Sequence, residues 1–587
     1  MKSIRSLSII ALLCLVSTAC DKDYLNKTPD EDLTLKDVFS QRRYAESFLT
    51  NMYSDLPQEI NFGNDWGFNP FVNAADELDE PFTNVFGNLM NTGSWTPLNN
   101  PLNPTPNIWG AMYQGVRKAN IFLENVNNVP MDDSERARWI GEATFLRSFF
   151  HFWLLRIYGP IPIFDRSLQT GEDFSLFNRR PIEECAQFIL ADCDRAASLL
   201  DIKLTPDRYG RVTKAAALAL KARILLYLAS PLYNGNSDYA NFLSADGVPF
   251  FPSEYSEERW QQAADAALAC ITESEAAGYA LYRAPDNDPV RNYQELFVIR
   301  NNPEILFTRE VGVFSQLEYA SNPTGMGGWS GYCPTQELVD AYEMANGLPI
   351  SDPEAGYVES GYTMDAHPHG YHPAGIRNMY VNREPRFYAS INYSGAQWHG
   401  RGIEFWPSGL DGRKGGPDFT TTGYLMKKFL DPNVDLIQGR FSSKAWIFFR
   451  LGEQYLNYAE ALNEVAGPVS DVYHYINAIR DRAGLPPLPE NLSKAQMREK
   501  IWHERRIELA FETHRYFDCH RWKIAHVTDN QEIHGMNIAA GASLQDDSFY
   551  QRTVVEKRVF VAPRHYLWPI PQVEINKNLN LNQNPGW

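Results

Sequence analysis

The 587-residue sequence lacks the common signatures of enzymes. It has no phosphate-binding loop, no Gly-x-Ser-x-Gly nucleophile elbow and no His-Glu-x-x-His pair, so it shows no marker of nucleotide hydrolysis, serine-hydrolase or zinc-protease chemistry. Cysteine is scarce: there are seven residues, and no spacing between them matches a metal or redox motif. Positive charge is not in excess either. The formal net charge is −18, which argues against nucleic acid as a partner.

Long hydrophobic runs are missing outside the N-terminus. There, Lys2 and Arg5 precede ten mostly apolar residues, Leu7–Val16, about half of what spans a bilayer. We expect residues 1–19 to be a cleaved signal peptide. Small residues lead into Cys20, which resembles the lipobox of bacterial lipoproteins, although Ser17 stands where leucine is usual. The sequence therefore predicts a diacylated Cys20, with residues 20–32 as anchor and tether; the alternative is an ordinary signal with an incidental cysteine.

The mature chain is acidic and poor in thiols. Removal of residues 1–19 takes away Lys2 and Arg5 and no acidic residue, so the net charge falls from −18 to −20. Cys185 and Cys193 are eight residues apart in a predicted helix, roughly 12 Å along its axis, which is too far for a disulfide. We interpret these thiols and the remaining ones as buried apolar side chains: Cys270, Cys333 and Cys519.

Apolar periodicity predicts a mainly α-helical protein. One helix runs from Trp139 to Ile157 and ends before Gly159-Pro160, and an alanine-rich one covers residues 212–228. Further helices are predicted at residues 260–271, 444–465, 471–482 and 493–517. Helix pairs that recur at intervals of tens of residues favour a tetratricopeptide-like α-solenoid, although no clean 34-residue consensus repeats.

Glycine divides the chain into regions. Residues 321–440 hold 18 of the 38 glycines and show few helical periods, so we predict an irregular, ligand-facing insertion there. It separates an N-terminal helical region, residues 33–320, from a C-terminal helical region and tail, residues 441–587.

Two clusters of polar residues invite a catalytic or metal-binding interpretation. The first is a charge-dense segment with Glu504, Glu508 and Glu512 at four-residue spacing. Because arginines accompany these carboxylates, we predict structural ion pairs rather than general acids. The second is His367, His369 and His372, whose proline and glycine neighbours indicate turn chemistry, so we predict no metal and no cofactor.

Aromatic residues in irregular segments are the better candidates for a binding site. A sugar ring presents a flat C–H face that packs on an aromatic plane, and its hydroxyl groups need carboxylate or amide partners. For any single tryptophan, attachment of a loop to the core is at least as good an explanation. We nevertheless predict that two or more of the tryptophans line one site, and the candidate ligand-binding residues are Trp66, Asp76, Trp95, Asn99, Trp329, Tyr332, Trp398 and Trp406.

Several segments resemble the SusD/RagB family of outer-membrane nutrient-binding proteins. The pattern R-x-x-E-x-Y-L-x-x-A-E-A occurs at Arg450–Ala461. The other similar segments follow in family order over nearly the whole mature chain: Gly141–Pro162, Ile479–Gly484, Glu504–Asp518, and Trp568–Pro571 with Gln583–Gly586.

The resemblance implies about four tetratricopeptide-like helix pairs carrying irregular insertions. It also implies a lipoprotein on the cell surface that binds an oligosaccharide, does not modify it, and caps a SusC-like TonB-dependent β-barrel transporter. Two alternatives remain open: an outer-membrane glycoside hydrolase, which needs only two carboxylates about 5 to 10 Å apart, and a structural scaffold without a small ligand.

Overall fold

The computed structural model describes residues 34–60, 67–83, 85–99, 107–244 and 246–587. The predicted signal peptide, the predicted acylation site Cys20 with its predicted tether, and Trp66 lie outside these residues. The α-helices are α1 Leu35–Ser40, α2 Arg42–Ser54, α3 Pro70–Asn73, α4 Phe86–Asn91, α5 Ile108–Asn125, α6 Asp133–Tyr158, α7 Ile182–Leu199, α8 Lys214–Ala229, α9 Glu258–Ala276, α10 Pro289–Gln294, α11 Ser315–Ser321, α12 Gln336–Ala341, α13 Pro385–Ser390, α14 Leu451–Ala466, α15 Ser470–Arg482, α16 Lys494–Glu508, α17 His514–Arg521, α18 Ala525–Thr528 and α19 Gln572–Lys577.

The strands are short and pair only two at a time within the described ranges. They are β1 Leu78–Asp79, β2 Ile305–Val313, β3 Cys333–Pro334, β4 Ile391–Tyr393, β5 Gln397–Trp398, β6 Arg401–Gly402, β7 Tyr424–Met426, β8 Ser443–Arg450, β9 Glu532–Met536 and β10 Arg552–Lys557. The antiparallel pairs are β1–β3, β2–β8, β4–β7, β5–β6 and β9–β10.

Helix α6 is the central helix, and its ends follow from local chemistry. Asp132 caps its N-terminus by accepting a hydrogen bond from the Glu135 backbone N–H at 2.8 Å. Gly159, with φ of +72°, ends it, as the sequence predicts. Its C-terminal half is buried on all sides, because α5, α7 and the aromatic residues of β8 surround it; Phe149 and Phe448, for example, have ring centroids 5.1 Å apart.

Four helix pairs build the array: α5 with α6, α7 with α8, α9 with α14, and last α15 and α16, which both pack mainly against α14. Alanines such as Ala216 and Ala219 on α8 are fully buried and allow α8 to pack closely against α7 and α9. The third pair joins helices separated by residues 277–450, so the glycine-rich segment is inserted within a helix pair. The prediction of a mainly helical, tetratricopeptide-like fold with about four helix pairs is confirmed.

Two helix boundaries differ from the prediction. Residues 444–450 form strand β8 instead of the first turns of a helix, because they pair with β2 and burial alternates with a period of two over residues 443–448. The helix predicted over residues 493–517 is interrupted after Glu508. Phe511 and Thr513 have φ of +63° and +69°, and the Phe511 N–H donates to the Glu77 carboxylate at 3.1 Å instead of to a helical carbonyl.

The predicted ion pairs of the charge-dense segment are present and buried. Arg450 Nη1 lies 2.8 Å from both Glu304 and Glu508, and its Nε lies 2.8 Å from Glu512. Arg386 contacts Glu504 and Glu508 in the same network. Burial by itself would raise the pKa of Glu508, but the surrounding arginines hold it well below the usual range. The network joins β8, α13 and α16 around permanently charged groups.

The five cysteines within the described residues are buried and have free thiols, without disulfides, as predicted: Cys185, Cys193, Cys270, Cys333 and Cys519. Among the described helices, none combines the length and the apolar character needed to cross a membrane.

Candidate functional site

Three aromatic side chains form a partly exposed surface beside helix α11. The rings of Trp329 and Tyr319 are stacked, with centroids 5.1 Å apart and planes 15° from parallel. Phe441 packs edge-on against Tyr319, with ring centroids 5.6 Å apart. All three are partly exposed, and we call them the aromatic platform. A parallel stack that reaches the surface presents a flat apolar face, which suits the C–H face of a sugar.

Backbone hydrogen bonds fold the loop after α11 back onto that helix. The Trp329 N–H donates to the Tyr319 carbonyl at 2.6 Å, and the Gly331 N–H donates to the Ala320 carbonyl at 2.7 Å. Gly328 makes this return possible, because a Cβ at that position would lie 2.0 Å from the Asn322 carbonyl oxygen. Gly328 is therefore required to place the Trp329 indole on Tyr319.

The β5–β6 hairpin is attached to the same loop through a tryptophan. The Trp398 indole N–H donates to the Asn322 side-chain oxygen at 2.6 Å, and Lys427 Nζ lies 5.3 Å from the indole centroid. The next residue, His399, is exposed at the hairpin turn with φ of +44°. Trp398 itself is buried, so it fixes the position of His399 relative to the platform loop.

Asp411 connects the turn of residues 404–411 to the platform loop and to the β5–β6 hairpin. Its carboxylate accepts two hydrogen bonds from Arg401, both 2.7 Å long, and one from the Gly325 N–H at 3.1 Å. It also accepts from the Glu404 N–H at 2.9 Å. Trp406 lies in the turn between Glu404 and Asp411 and is buried. The hairpin, this turn and the platform loop therefore form one connected unit.

Polar groups border the platform on the loop of residues 434–440. Asp435 and Arg440 form an ion pair at 3.0 Å, and Gly327 of the platform loop lies against Leu436 and Ile437. Partial burial lowers the pKa of His399, while the Asp435 carboxylate acts in the opposite direction. The lowered pKa favours the neutral imidazole of His399, which can both donate and accept hydrogen bonds. Carboxylate, guanidinium and imidazole are suitable partners for hydroxyl groups.

The structure brings four of the predicted residues into this unit, with different roles. Trp329 presents part of its ring to solvent, whereas Trp398 and Trp406 are buried and hold the loops together. Tyr332 is fully buried below the loop, with its ring centroid 5.2 Å from that of Phe68. The contribution of each to binding stays a prediction.

Three other predicted residues lie outside this unit. The Asp76 carboxylate is buried and contacts Arg506 at 2.8 Å and Arg515 at 2.7 Å. Trp95 is 2% exposed and packs edge-on against Trp568 and Trp587, with centroid distances of 5.0 and 4.6 Å.

Asn99 is exposed and accepts a hydrogen bond from the Thr96 hydroxyl at 2.5 Å. In this conformation neither Asp76 nor Trp95 has a free surface for a ligand, so we do not include them in the candidate site.

Sequence reasoning missed Tyr319, Phe441 and the bridging Asn322. The predicted aromatic residues lie in irregular segments, whereas Tyr319 lies on helix α11. Phe441 follows Gly439-Arg440 and carried the same signal as Trp95 and Trp329, a glycine two residues before the aromatic ring.

The histidine-rich turn is a separate feature of the insertion. The His367 ring stacks on Tyr371 with centroids 4.4 Å apart, and the rings of His369 and His372 lie 5.7 and 5.4 Å from it. The Tyr371 hydroxyl donates to Asp288 at 2.8 Å. Across the residues whose placement is described, no three His, Cys, Asp or Glu side chains are arranged to hold a metal ion.

Two family profiles match this chain. That of the SusD family covers residues 301–587, and that described as "Starch-binding associating with outer membrane" covers residues 23–226.

Individual proteins are similar over most of their length. SusD-like protein P2 of Formosa agariphila is 26% identical over 506 residues, 82% of this chain and 80% of the relative. The starch-binding protein SusD of Bacteroides thetaiotaomicron is 23% identical over 511 residues, 84% of this chain and 80% of that protein.

A solved SusD-like protein from Bacteroides fragilis superimposes with a TM-score of 0.73 at 25% identity, covering 94% of this chain and 98% of the other. The two profiles match the chain in sequence order, and the relatives align across both helical regions. The chain therefore belongs to the SusD/RagB family, whose members bind glycans and are described as associating with the outer membrane.

Proposed function

We propose that this chain is a lipid-anchored, non-catalytic glycan-binding protein of the outer membrane. It captures an oligosaccharide on the aromatic platform and passes it to a SusC-like TonB-dependent β-barrel transporter. The observation that carries the binding site is the parallel stack of Trp329 on Tyr319, two partly exposed rings with Phe441 packed edge-on against Tyr319. The family supplies the ligand class, since one relative is named a starch-binding protein.

The rigidity of the site supports binding of an extended ligand. Asn322 joins the platform loop to the hairpin, and Asp411 joins both to the turn that carries Trp406. Side chains held in this way lose little conformational entropy when a ligand arrives, so more of the contact energy appears as affinity. The exposed polar groups then select among sugars by the positions of their hydroxyls.

The carboxylates beside the platform support binding rather than hydrolysis. A glycosidase needs two carboxyl groups facing the scissile bond, one of them able to donate a proton. Here Asp411 is buried against Arg401, and Asp435 is paired with Arg440. Glu404 accepts a hydrogen bond from the Leu410 N–H at 2.9 Å. These interactions engage the carboxylates within the protein, which supports binding without an acid and base pair.

The lipid anchor is a separate part of the proposal with its own test. Acylation of Cys20 would hold the protein at the membrane through a short tether, and two or more acyl chains give stable attachment where one does not. The mass of the N-terminal peptide from membrane-bound protein tests this step: an unmodified Cys20 in that fraction contradicts it.

The binding experiment uses the mature chain with Cys20→Ser, so that no acyl chain is attached. A glycan array identifies ligands, calorimetry gives their affinity, and chromatography of the ligand after prolonged incubation shows whether it is intact. We expect binding to at least one oligosaccharide with no change in its length. Cleavage would instead establish the hydrolase, and the absence of any glycan ligand would favour the structural scaffold.

A further inference from the structure

A cavity separate from the aromatic platform opens between α5, the segment of residues 162–177 and the C-terminal helix α19. Its volume is about 690 Å³, within the range of roughly 300–1,000 Å³ typical of small-molecule sites. None of its lining residues belongs to the three segments that form the platform unit. A ligand in this groove would therefore be bound independently of a glycan on the platform.

The groove is lined by a continuous row of aromatic rings. Trp109 meets Tyr113 at 5.1 Å between centroids, and Tyr113 meets Phe164 at 5.2 Å. Phe164 then meets Phe177 at 5.1 Å, and Phe177 meets Phe174 at 6.4 Å. Phe174 is 56% exposed at the mouth of the groove. A large exposed phenylalanine at the end of a concave aromatic row marks a surface that favours an apolar occupant.

The polar groups within the walls are already used by the protein. The Tyr113 hydroxyl donates to the Pro162 carbonyl at 2.8 Å. The Asn120 amide donates to the carbonyls of Phe164 and Arg166, and the Asn578 amide donates to those of Phe174 and Phe177. These bonds fix the aromatic segment in place and leave few groups for sugar hydroxyls. The lining therefore disfavours a carbohydrate and suits a hydrocarbon chain.

The rim adds a positive charge. Arg166 is paired with Glu172 at 2.7 Å, and Lys577 with Glu574 at 3.0 Å. Arg117 donates to the Leu168 carbonyl at 2.7 Å, but no carboxylate among the described residues lies within ion-pair distance of it. An apolar groove with one unneutralised guanidinium at its edge is complementary to a molecule with a hydrocarbon tail and an anionic head.

We propose that this groove binds a single-chain amphiphile with a carboxylate head, as a free monomer. The tail lies along the row from Trp109 to Phe174, and the carboxylate pairs with Arg117. The protein would thus carry two separate ligand sites, one for a glycan and one for a long-chain carboxylate.

Calorimetry with dodecanoate below its micelle-forming concentration tests the proposal on the mature chain with Cys20→Ser. We expect 1:1 binding with Kd in the micromolar range. Shortening the chain should weaken binding by about fourfold per methylene that leaves the groove. Dodecanol, which lacks the carboxylate, should bind several-fold more weakly than dodecanoate.

Two variants locate the site. Gln114 is an exposed lining residue on α5, so Gln114→Trp should fill the groove and weaken dodecanoate binding at least tenfold without changing the melting temperature. Arg117→Gln should abolish the preference for dodecanoate over dodecanol, whereas Arg195→Gln, at an exposed arginine on α7, should leave it intact.

Absence of dodecanoate binding, or equal binding by Gln114→Trp, overturns the proposal. A parallel arm measures co-sedimentation with vesicles that contain phosphatidylglycerol. If the chain sediments with vesicles in a manner sensitive to Gln114→Trp but does not bind monomeric dodecanoate, the groove contacts a membrane surface and the proposed occupant is wrong. Glycan binding by the same variants remains as in the wild type in every case, so failure here leaves the platform untouched.

Discussion

Trp329 stacks on Tyr319 almost in parallel, with ring centroids 5.1 Å apart and planes 15° apart. The stack depends on the return of the loop onto helix α11, which the Trp329 N–H completes by donating to the Tyr319 carbonyl. The residue that presents the ring and the residue that supports it are thus joined twice, through the rings and through the backbone. This arrangement makes the position of the indole independent of a bound ligand.

Loss of the Trp329 ring should weaken glycan binding while the fold persists. Trp329→Ala removes the stacking face, and we expect a loss of about 1–2 kcal/mol, or roughly 5- to 30-fold in Kd. Calorimetry with the best array ligand measures this. Tyr255→Ala is the matched control, because Tyr255 is an exposed aromatic residue distant in sequence from the platform segments. Equal affinities of the wild type and Trp329→Ala would show that the glycan binds elsewhere.

Addition of a methyl group at Gly328 should displace the loop that carries Trp329. The added Cβ would lie 2.0 Å from the Asn322 carbonyl oxygen, so the loop must move and the indole must leave its position on Tyr319. We expect Gly328→Ala to weaken glycan binding at least as much as Trp329→Ala.

Gly402→Ala tests whether any glycine of this unit would have the same effect. Gly402 lies on β6, its φ is not positive, and the nearest atom to an added Cβ is 3.5 Å away. We expect affinity within about twofold of the wild type. A Gly328→Ala variant that binds normally would mean that the observed loop geometry is not needed for the site.

Sequence periodicity predicted the elements that are determined by interactions between residues close in sequence. Helix α6 was predicted because its apolar spacing and its terminal Gly159 are local signals. Strand β8 was not, because its pairing with β2 joins residues more than 130 positions apart and its aromatic residues precede a true helix directly. The helix break at Phe511 depends on Glu77, which is even more remote in sequence.

The site was predicted only in part for the same physical reason. Glycines beside Trp329 signalled an unusual backbone, and the structure shows why Gly328 is needed. The same signal beside Trp95 accompanies a buried ring, because Trp568 and Trp587 from the far end of the chain cover it. Tyr319 carries no local signal at all, since its role arises only when the loop closes on α11.

Removal of one charge from the buried ion network should destabilise the protein without affecting the ligand. Glu508 contacts Arg386, Arg450 and Arg482, and all four side chains are almost fully buried. Glu508→Gln leaves these arginines with too little negative charge, and we expect a loss of about 3 kcal/mol or more in the free energy of unfolding.

Urea unfolding measures this loss, and calorimetry should give an unchanged glycan affinity. Glu499→Gln, at an exposed position on the same helix α16, is the control and should leave stability nearly unchanged. Normal stability with lost binding in Glu508→Gln would assign this network to the ligand site.

A buried carboxyl group should make stability depend on pH above neutrality. Burial raises the pKa of Glu77 to about 8, the neighbouring Asp76 carboxylate adds to the shift, and one Glu77 oxygen has no hydrogen-bond partner among the described residues. The folded state therefore holds this proton more tightly than the unfolded state, where the pKa is near 4.5. Stability contributed by the protonated form is present below pH 4.5 and is lost as the pH rises toward 8.

Glu77→Gln removes this dependence, because glutamine stays neutral. We expect the free energy of unfolding of Glu77→Gln, minus that of the wild type, to increase by roughly 3–5 kcal/mol between pH 5 and pH 8.5. Above that range the difference should stay constant. Other titrating groups are common to both proteins and cancel in the difference. Urea unfolding at intervals across this range measures it, and a constant difference would contradict the raised pKa.

The last prediction concerns delivery and rests on the proposed function. If the platform collects glycans for a SusC-like barrel, the two proteins must remain together while the ligand is transferred. We therefore expect mild detergent extraction of native membranes to recover this chain with a β-barrel protein in equal numbers, and Cys20→Ala to reduce that recovery by releasing the anchor.

Capture matters most for slowly diffusing ligands, so deletion of this chain should slow growth on long oligosaccharides more than on short ones of the same composition. Trp329→Ala should reproduce the growth defect without loss of the complex, since the indole lies on the ligand side and not in the anchor. Recovery of the chain alone in several mild detergents, together with unchanged growth of the deletion strain on every glycan that the protein binds, would show that delivery is not its role.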